Sequence, residues 1–319
     1  MKKNKYEIDM CNGTLMDKLI SFAIPLMLSG ILQLMFNAVD IIVVGRFSGS
    51  QSLAAVGSTT ALINVFTNLF IGISLGANVL AARYYALEKS KEMSETVHTA
   101  IAFALISGVG MAVIGLLMAK PALELMGTPD DVIAKSTLYM RIYFCGMPFF
   151  MLYNYGAAIL RAVGDTKRPL LFLLISGVIN AILNLFLVIQ FHLDVAGVGI
   201  ATVISQLISC ILVLRCLYCS ESSYQFRPEK LNIRSRYLRQ IFEVGIPAGI
   251  QSTVINLSNA MLQSSVNSFG SISMAGYTAA NNIFGFLYVS VNSVTQACMS
   301  FTSQNYGVKK LKRMDRVLI

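Results

Sequence analysis

Eight long apolar stretches, parted by short clusters of charge, decide what this 319-residue chain can fold into. A hydrocarbon core of about 30 Å asks for about 20 helical residues, and a backbone without water must pair within its own helix. The stretches lie at 18–44, 53–82, 97–119, 136–160, 169–191, 195–217, 238–265 and 274–302. Composition agrees, since 55% of residues are hydrophobic, only 13% are charged and mean hydropathy is +0.65, all outside the soluble range. The expectation is an all-α membrane protein, a polytopic helix bundle of about eight transmembrane helices.

Charge then orients the bundle. With the N-terminus inside, the outer loops hold only Arg46, Lys120 and Lys135, and Arg141 lies within a span; every other Lys and Arg falls on the inner side. That imbalance follows the positive-inside rule and predicts a multi-pass protein of the cytoplasmic membrane with both ends of the chain cytoplasmic. The +9 net charge is thus topology, and no nucleic-acid partner is expected. The leading MKKNKYEIDMCNGTLMDK is too long and too acidic for a signal-peptide n-region, so no cleavage is expected. Six cysteines include one CLYC pair at 216–219, but two histidines and no second pair fall short of a zinc framework, so neither metal nor cofactor is predicted.

The chain repeats. Pro25 in LISFAIPLMLSGI matches Pro247 in IFEVGIPAGI, GSQSLAAVGSTTAL (49–62) matches GSISMAGYTAANNI (270–283), and ARYYALEKSKE matches SQNYGVKKLKR, all displaced by 221 to 222 positions. Three matches in order divide the chain into a six-helix N-terminal lobe at 1–217, a cytoplasmic linker at 218–237 and two helices of a second, incomplete lobe at 238–319. Six being even, the lobes share orientation and relate by an axis along the membrane normal, as in some secondary transporters. Pro25 and Pro247 are hinge candidates, with simple helix shaping the other possibility. Gly72 and Gly76 in IGISLG form a small-xxx-small pair suited to close helix packing.

Asp40 is the acid that lies well inside a span. Burying it costs at least about 2.5 kcal/mol, so it should face protein or water and serve function. Gln33, Asn37 and Asp40 share one helical face, as do Ser176, Asn180 and Asn184 in the fifth span and Thr202, Ser205, Gln206 and Ser209 in the sixth. At about 1.5 Å per residue, Asp40, Asn184 and Thr202 sit about five, six and seven residues from the outer ends of their spans, at one level. A carboxylate, carboxamides and a hydroxyl at one depth suit H⁺ or Na⁺, since a hard cation wants oxygen. Otherwise such stripes only tie helices, each bond contributing about 0.6 kcal/mol.

Further polar positions are candidates for a substrate cavity: Gln33 and Asn37 in the first span, Asn64 and Asn68 in the second, Asn259 and Gln263 in the seventh and Asn282 in the eighth. With the Met, Phe and Tyr around them, such walls suit a large amphipathic ligand, because soft side chains repack. No nucleophile-base pair, phosphate loop or metal cluster supports an enzyme.

NAVDIIVVGRFSGSQSLAAVG, LRAVGDTKRP (160–169) and NAILNLFLVIQFHLDVAGVGIATVISQ resemble the multidrug and toxic compound extrusion family of cation-coupled antiporters. The resemblance covers essentially the whole chain. It implies twelve helices in two six-helix lobes, four of them missing here, a protein that is monomeric at full length, and a first-lobe cation site at Asp40, Asn180, Asn184 and Thr202. Many members carry an acid where Asn184 stands, which leaves Asp40 as the site's titratable ligand. The repeat partner of Asp40 is Met261 or Leu262, so coupling through this site is expected in one lobe alone. The expected function is export of small amphipathic, cationic compounds against inward H⁺ or Na⁺ by alternating access. The rivals are a lipid-linked oligosaccharide flippase of the same superfamily, disfavoured by the few cations within the spans, and a non-transporting membrane receptor or scaffold.

Overall fold

The computed structural model describes the backbone of residues 6–267 and 271–318, with every side chain of these except at 61, 257, 260, 261, 263, 264, 266, 267, 271–276, 278, 279, 282 and 318. Within them the chain is helical and without strands. The helices are α1 (Leu15–Phe47), α2 (Ser50–Ala86), α3 (Ser90–Leu125), α4 (Asp130–Cys145), α5 (Met147–Ala162), α6 (Lys167–Leu185), α7 (Asp194–Tyr218), α8 (Ser235–Asn267), α9 (Ser271–Gly307) and α10 (Leu311–Leu318). Phe186–Gln190 continues α6 as a π-helical turn.

Seven expected spans fall on single helices. The helices outrun the apolar stretches because the bilayer limits hydrophobicity, whereas a helix runs on until the chain must turn. Five helical runs are long and apolar enough to cross a membrane: Leu15–Phe47, Ser50–Ala86, Ser90–Leu125, Lys167–Gln190 and Asp194–Tyr218. α8 and α9 match α1 and α2 in length, 33 and 37 residues, but carry many amides and hydroxyls.

The fourth expected span is not one helix. It divides at Gly146 into α4 and α5, each 16 residues long. Pro148 has no N–H to return to residue 144, which breaks the ladder there. The break rests on α3, where a Cβ at Gly108 would lie 2.6 Å from Pro148 Cα and one at Gly115 would lie 2.0 Å from the Phe144 ring. By contrast, Pro25 and Pro247 lie inside unbroken helices.

Helix direction puts the N-terminal segment, the α2–α3, α5–α6 and α7–α8 connections and α10 at one end, the basic face. α2 packs along α8, and α1 along α9. Gly72 and Gly76 meet α8 backbone to backbone: a Cβ at Gly72 would lie 2.2 Å from Gly249 Cα, and one at Gly76 would lie 2.1 Å from Ile241 O. α2 and α9 also touch, through Ser300 Oγ donating to Asn78 Oδ1 at 3.0 Å, a pair of positions 222 residues apart and so equivalent in the sequence repeat. Nearby, Ser303 Oγ donates to Val79 O at 2.6 Å and Gln304 Nε2 to Ala162 O at 2.7 Å. Ser293, Ala297, Ser300, Phe301, Ser303, Gln304 and Asn305 of α9 are buried, whereas Ile283, Phe284, Phe286, Leu287 and Tyr288, nearer the other end, are exposed. The two halves therefore meet at the basic face and lie uncovered beyond it.

Candidate functional site

Three helices bring the acid its company. α1 and α6 lie close because Gly177 has no side chain where the Phe36 ring sits, 1.8 Å from a would-be Cβ. One turn on from Phe36 is Asp40, and two turns on from Gly177 is Asn184. The Asn184 amide donates through Nδ2 to Asp40 Oδ1 and, at 3.3 Å, to Asn180 Oδ1. Asn180 Nδ2 in turn donates to Thr202 Oγ1 of α7 at 3.5 Å, and Thr202 Oγ1 donates to Val198 O at 2.9 Å. All four predicted residues thus form one hydrogen-bonded group. Asn184 is fully buried and Asn180 nearly so, at 0% and 5% exposure.

Two features set this group apart from ordinary helix-tying amides. Asp40 is in no ion pair among the described residues, and Arg141, the charge within the fourth span, is exposed. Asn184 Oδ1 is buried and accepts no hydrogen bond. An uncompensated carboxylate beside an orphaned carbonyl oxygen leaves two acceptors and no positive charge, an unfavourable pair unless a proton or cation joins them. Directly after Asn184 the helix widens into the π-helical turn at 186–190, a distortion frequent at functional sites.

Other side chains complete the surroundings. Tyr139 and Tyr143 of α4 lie close enough to Asp40 to sense its charge. Gln206 of α7 sits at the α4–α5 break, its Oε1 buried, without a partner and 2.6 Å from a would-be Cβ at Gly146. The i, i+4 spacing of the tyrosines was the available signal for them, but spacing alone does not tell which face turns toward α1. At the end opposite the basic face, Lys135 pairs with Asp194 at 2.7 Å and donates to Ser52 Oγ at 2.9 Å.

The substrate-cavity candidates are not gathered in this way. Gln33, Asn37, Asn64 and Asn259 are exposed and Asn68 is half-buried, all without a shared partner. The side chains of Gln263 and Asn282 lie outside the described residues.

A family model described as MatE matches the chain in two segments, residues 25–186 and 247–319. A protein of Bacillus subtilis (strain 168) named "Probable multidrug resistance protein YoeA" is 32% identical over 304 residues, covering 93% of this chain and 66% of its own length. The "Multidrug export protein MepA" of Staphylococcus haemolyticus (strain JCSC1435) is 22% identical, covering 94% and 67%. The chain thus spans about two thirds of the length of these relatives. Among solved structures, the outward-facing conformation of a multidrug resistance MATE family transporter of the MOP superfamily aligns over 99% of this chain and 70% of its own, with a TM-score of 0.92 at 21% identity.

Proposed function

Since the chain belongs to the MatE family of membrane transporters, we propose that it serves export of amphipathic cationic compounds in exchange for H⁺ or Na⁺ by alternating access. The moving parts are a lobe at 1–217 and a second lobe beginning at 238, joined by the linker 218–237, in the cytoplasmic membrane with the basic face cytoplasmic. The names of the relatives, multidrug resistance and multidrug export, support the substrate class.

One observation carries the reading. Asp40 is held by Asn184 within the bundle in no ion pair among the described residues, while the oxygen of that same amide has no donor. Asn184 can answer both charge states of the acid. Facing ionised Asp40 it donates from Nδ2; turned by half a rotation it presents Oδ1 to a protonated Asp40 or to Na⁺. Because the group holds a single carboxylate, one bound charge neutralises it entirely. Neutralisation releases α1 from α6, and Pro25 is the place at which α1 yields, freeing substrate on the outer side. Gln33, Asn37, Asn64, Asn68 and Asn259 are the candidates for the wall that the substrate leaves, and the Gln263 and Asn282 side chains lie outside the described residues.

The rival with a large anionic headgroup finds less support, because Arg141 turns out of the bundle and offers that headgroup no buried cation. The test is Asp40→Asn in the full-length protein, with dye efflux followed in cells under an imposed and then a collapsed ion gradient. Gradient-dependent efflux is expected to vanish; efflux that keeps its dependence on the gradient contradicts the mechanism.

A further inference from the structure

The polar segment ahead of α1 touches both halves of the molecule. We propose that residues 6–13 are a strap that fastens the basic ends of the two halves together and must release before the bundle opens on that side, a role that rests on the alternating-access reading above.

On the first-half side the fastening is deep. The Glu7 carboxylate accepts from the Tyr85 hydroxyl at the end of α2 and from the Tyr224 hydroxyl of the linker, each at 2.7 Å. Burial lifts the Tyr224 hydroxyl above tyrosine's ordinary range, and the Glu7 carboxylate pushes the same way, so it stays a protonated donor. Ile8 N–H donates to Gly164 O at 3.3 Å in the α5–α6 connection. Gly164 has φ +94°, and a Cβ there would lie 2.5 Å from Ile8 O, so the connection admits the strap only as glycine. Met10 is fully buried in an apolar cluster with Phe22, Ala23 and Leu26 of α1 and Ala297 and Phe301 of α9.

On the second-half side the same Met10 packs against Ala297 and Phe301 of α9, and the fastening to α10 is polar and wet. Asp9 Oδ1 accepts from the N–H groups of Cys11 and Asn12, a turn that directs the following carbonyls outward. Arg313 of α10 donates to Met10 O at 3.2 Å, Gly13 O at 2.8 Å and Asn12 O at 3.2 Å. Lys310 donates to Cys11 O at 3.0 Å and Asn12 Oδ1 at 2.8 Å. Asn305 Nδ2 adds a bond to Met10 O at 3.2 Å. These charge-assisted bonds are strong individually but mostly solvent-exposed, and water can replace them singly. Beneath the strap lie the α2–α9 contacts at Asn78 and Ser300. Those contacts cannot part while the strap is tied to α10. The strap therefore stays with the first half and parts from α10.

Hydrogen exchange followed by mass spectrometry on the full chain in lipid nanodiscs, with transport measured alongside, tests this. In the double variant Lys310→Ala, Arg313→Ala, exchange of the α2 and α9 backbone around Asn78 and Ser300 should rise by roughly tenfold, while α6 and α7 stay unchanged. A reducible short bridge between native Cys11 and Lys310→Cys should slow the same amides below their unbridged rate, and a reductant should restore it. A change confined to residues 6–18, or a bridge without effect on α2 and α9, overturns the strap. Absence of transport in every variant with the exchange contrast intact would instead count against the export reading. Full transport by the bridged protein would sink the strap and leave the export reading standing.

Discussion

α1 and α8 are built to one plan and differ where it matters. Both are 33 residues long, both contain an unbroken proline in their first half, and each packs against the second helix of the other half. Near its end away from the basic face α1 carries Asp40 against the amide of Asn184; the matching stretch of α8 holds Met261 and Leu262, and Leu262 is exposed. The scaffold is therefore duplicated and the charge is not. A carboxylate in an apolar setting persists only where other helices supply donors, and it is α6 and α7 that bring Asn180, Asn184 and Thr202 to α1. Length, proline and packing follow from the helix alone, whereas the Asp40 group needs three helices at once.

The harshest way to break the comparison is to move the acid. Leu262→Asp combined with Asp40→Asn should not restore gradient-dependent efflux, and an acid without donors there should lower membrane-inserted protein, at a cost of about 2.5–3.5 kcal/mol. Efflux assays and quantitative immunoblots of membranes check both; restored efflux would show that either half can couple. Next in size, Asn184→Asp gives the site a second carboxylate and removes its one neutral amide contact to Asp40. Like charges at hydrogen-bond distance cannot both stay ionised, so the variant should hold an extra proton and move the pH dependence of efflux to higher pH. An unchanged pH profile would show that position 184 does not share the charge of Asp40. Smallest, the two cross-half contacts should answer differently to a methyl group. Gly76→Ala places Cβ 2.1 Å from the Ile241 carbonyl, whereas Gly30→Ala meets the Val289 side chain at 2.4 Å. Backbone cannot turn aside and a valine rotamer can, so Gly76→Ala should cost about 1–3 kcal/mol and Gly30→Ala less, by thermal unfolding in detergent.

Much of this was legible in the sequence, and the gaps have physical causes. Apolar run length announces a long helix, so seven of the eight stretches fell on single helices, and five helical runs among the described residues are long and apolar enough to cross a membrane. The division of the fourth at Gly146 was hidden because residues on both sides are apolar and Pro148 is also tolerated in kinked helices. α10 is eight polar and apolar residues beyond the last span, too short to register against hydropathy. In the site, Asp40, Asn184 and Thr202 could be collected because depth follows from a constant rise per residue, and Asn180 came with the face it shares with Asn184 and with the family resemblance. Tyr139, Tyr143 and Gln206 could not, since their approach depends on how α4 and α7 are rotated. The leading segment was weighed only as a signal peptide and set aside, because Glu7 finds its partners 78 and 217 residues away.

The claim beneath all of this is that a travelling cation neutralises Asp40 in each cycle. Purified full-length protein in weakly buffered detergent solution, mixed with a lipophilic cationic dye, should release close to one proton per chain, or the equivalent Na⁺ by an ion-selective electrode, and Asp40→Asn should release none. Equal release from the wild type and from Asp40→Asn, or dye binding without any release from the wild type, would contradict the account.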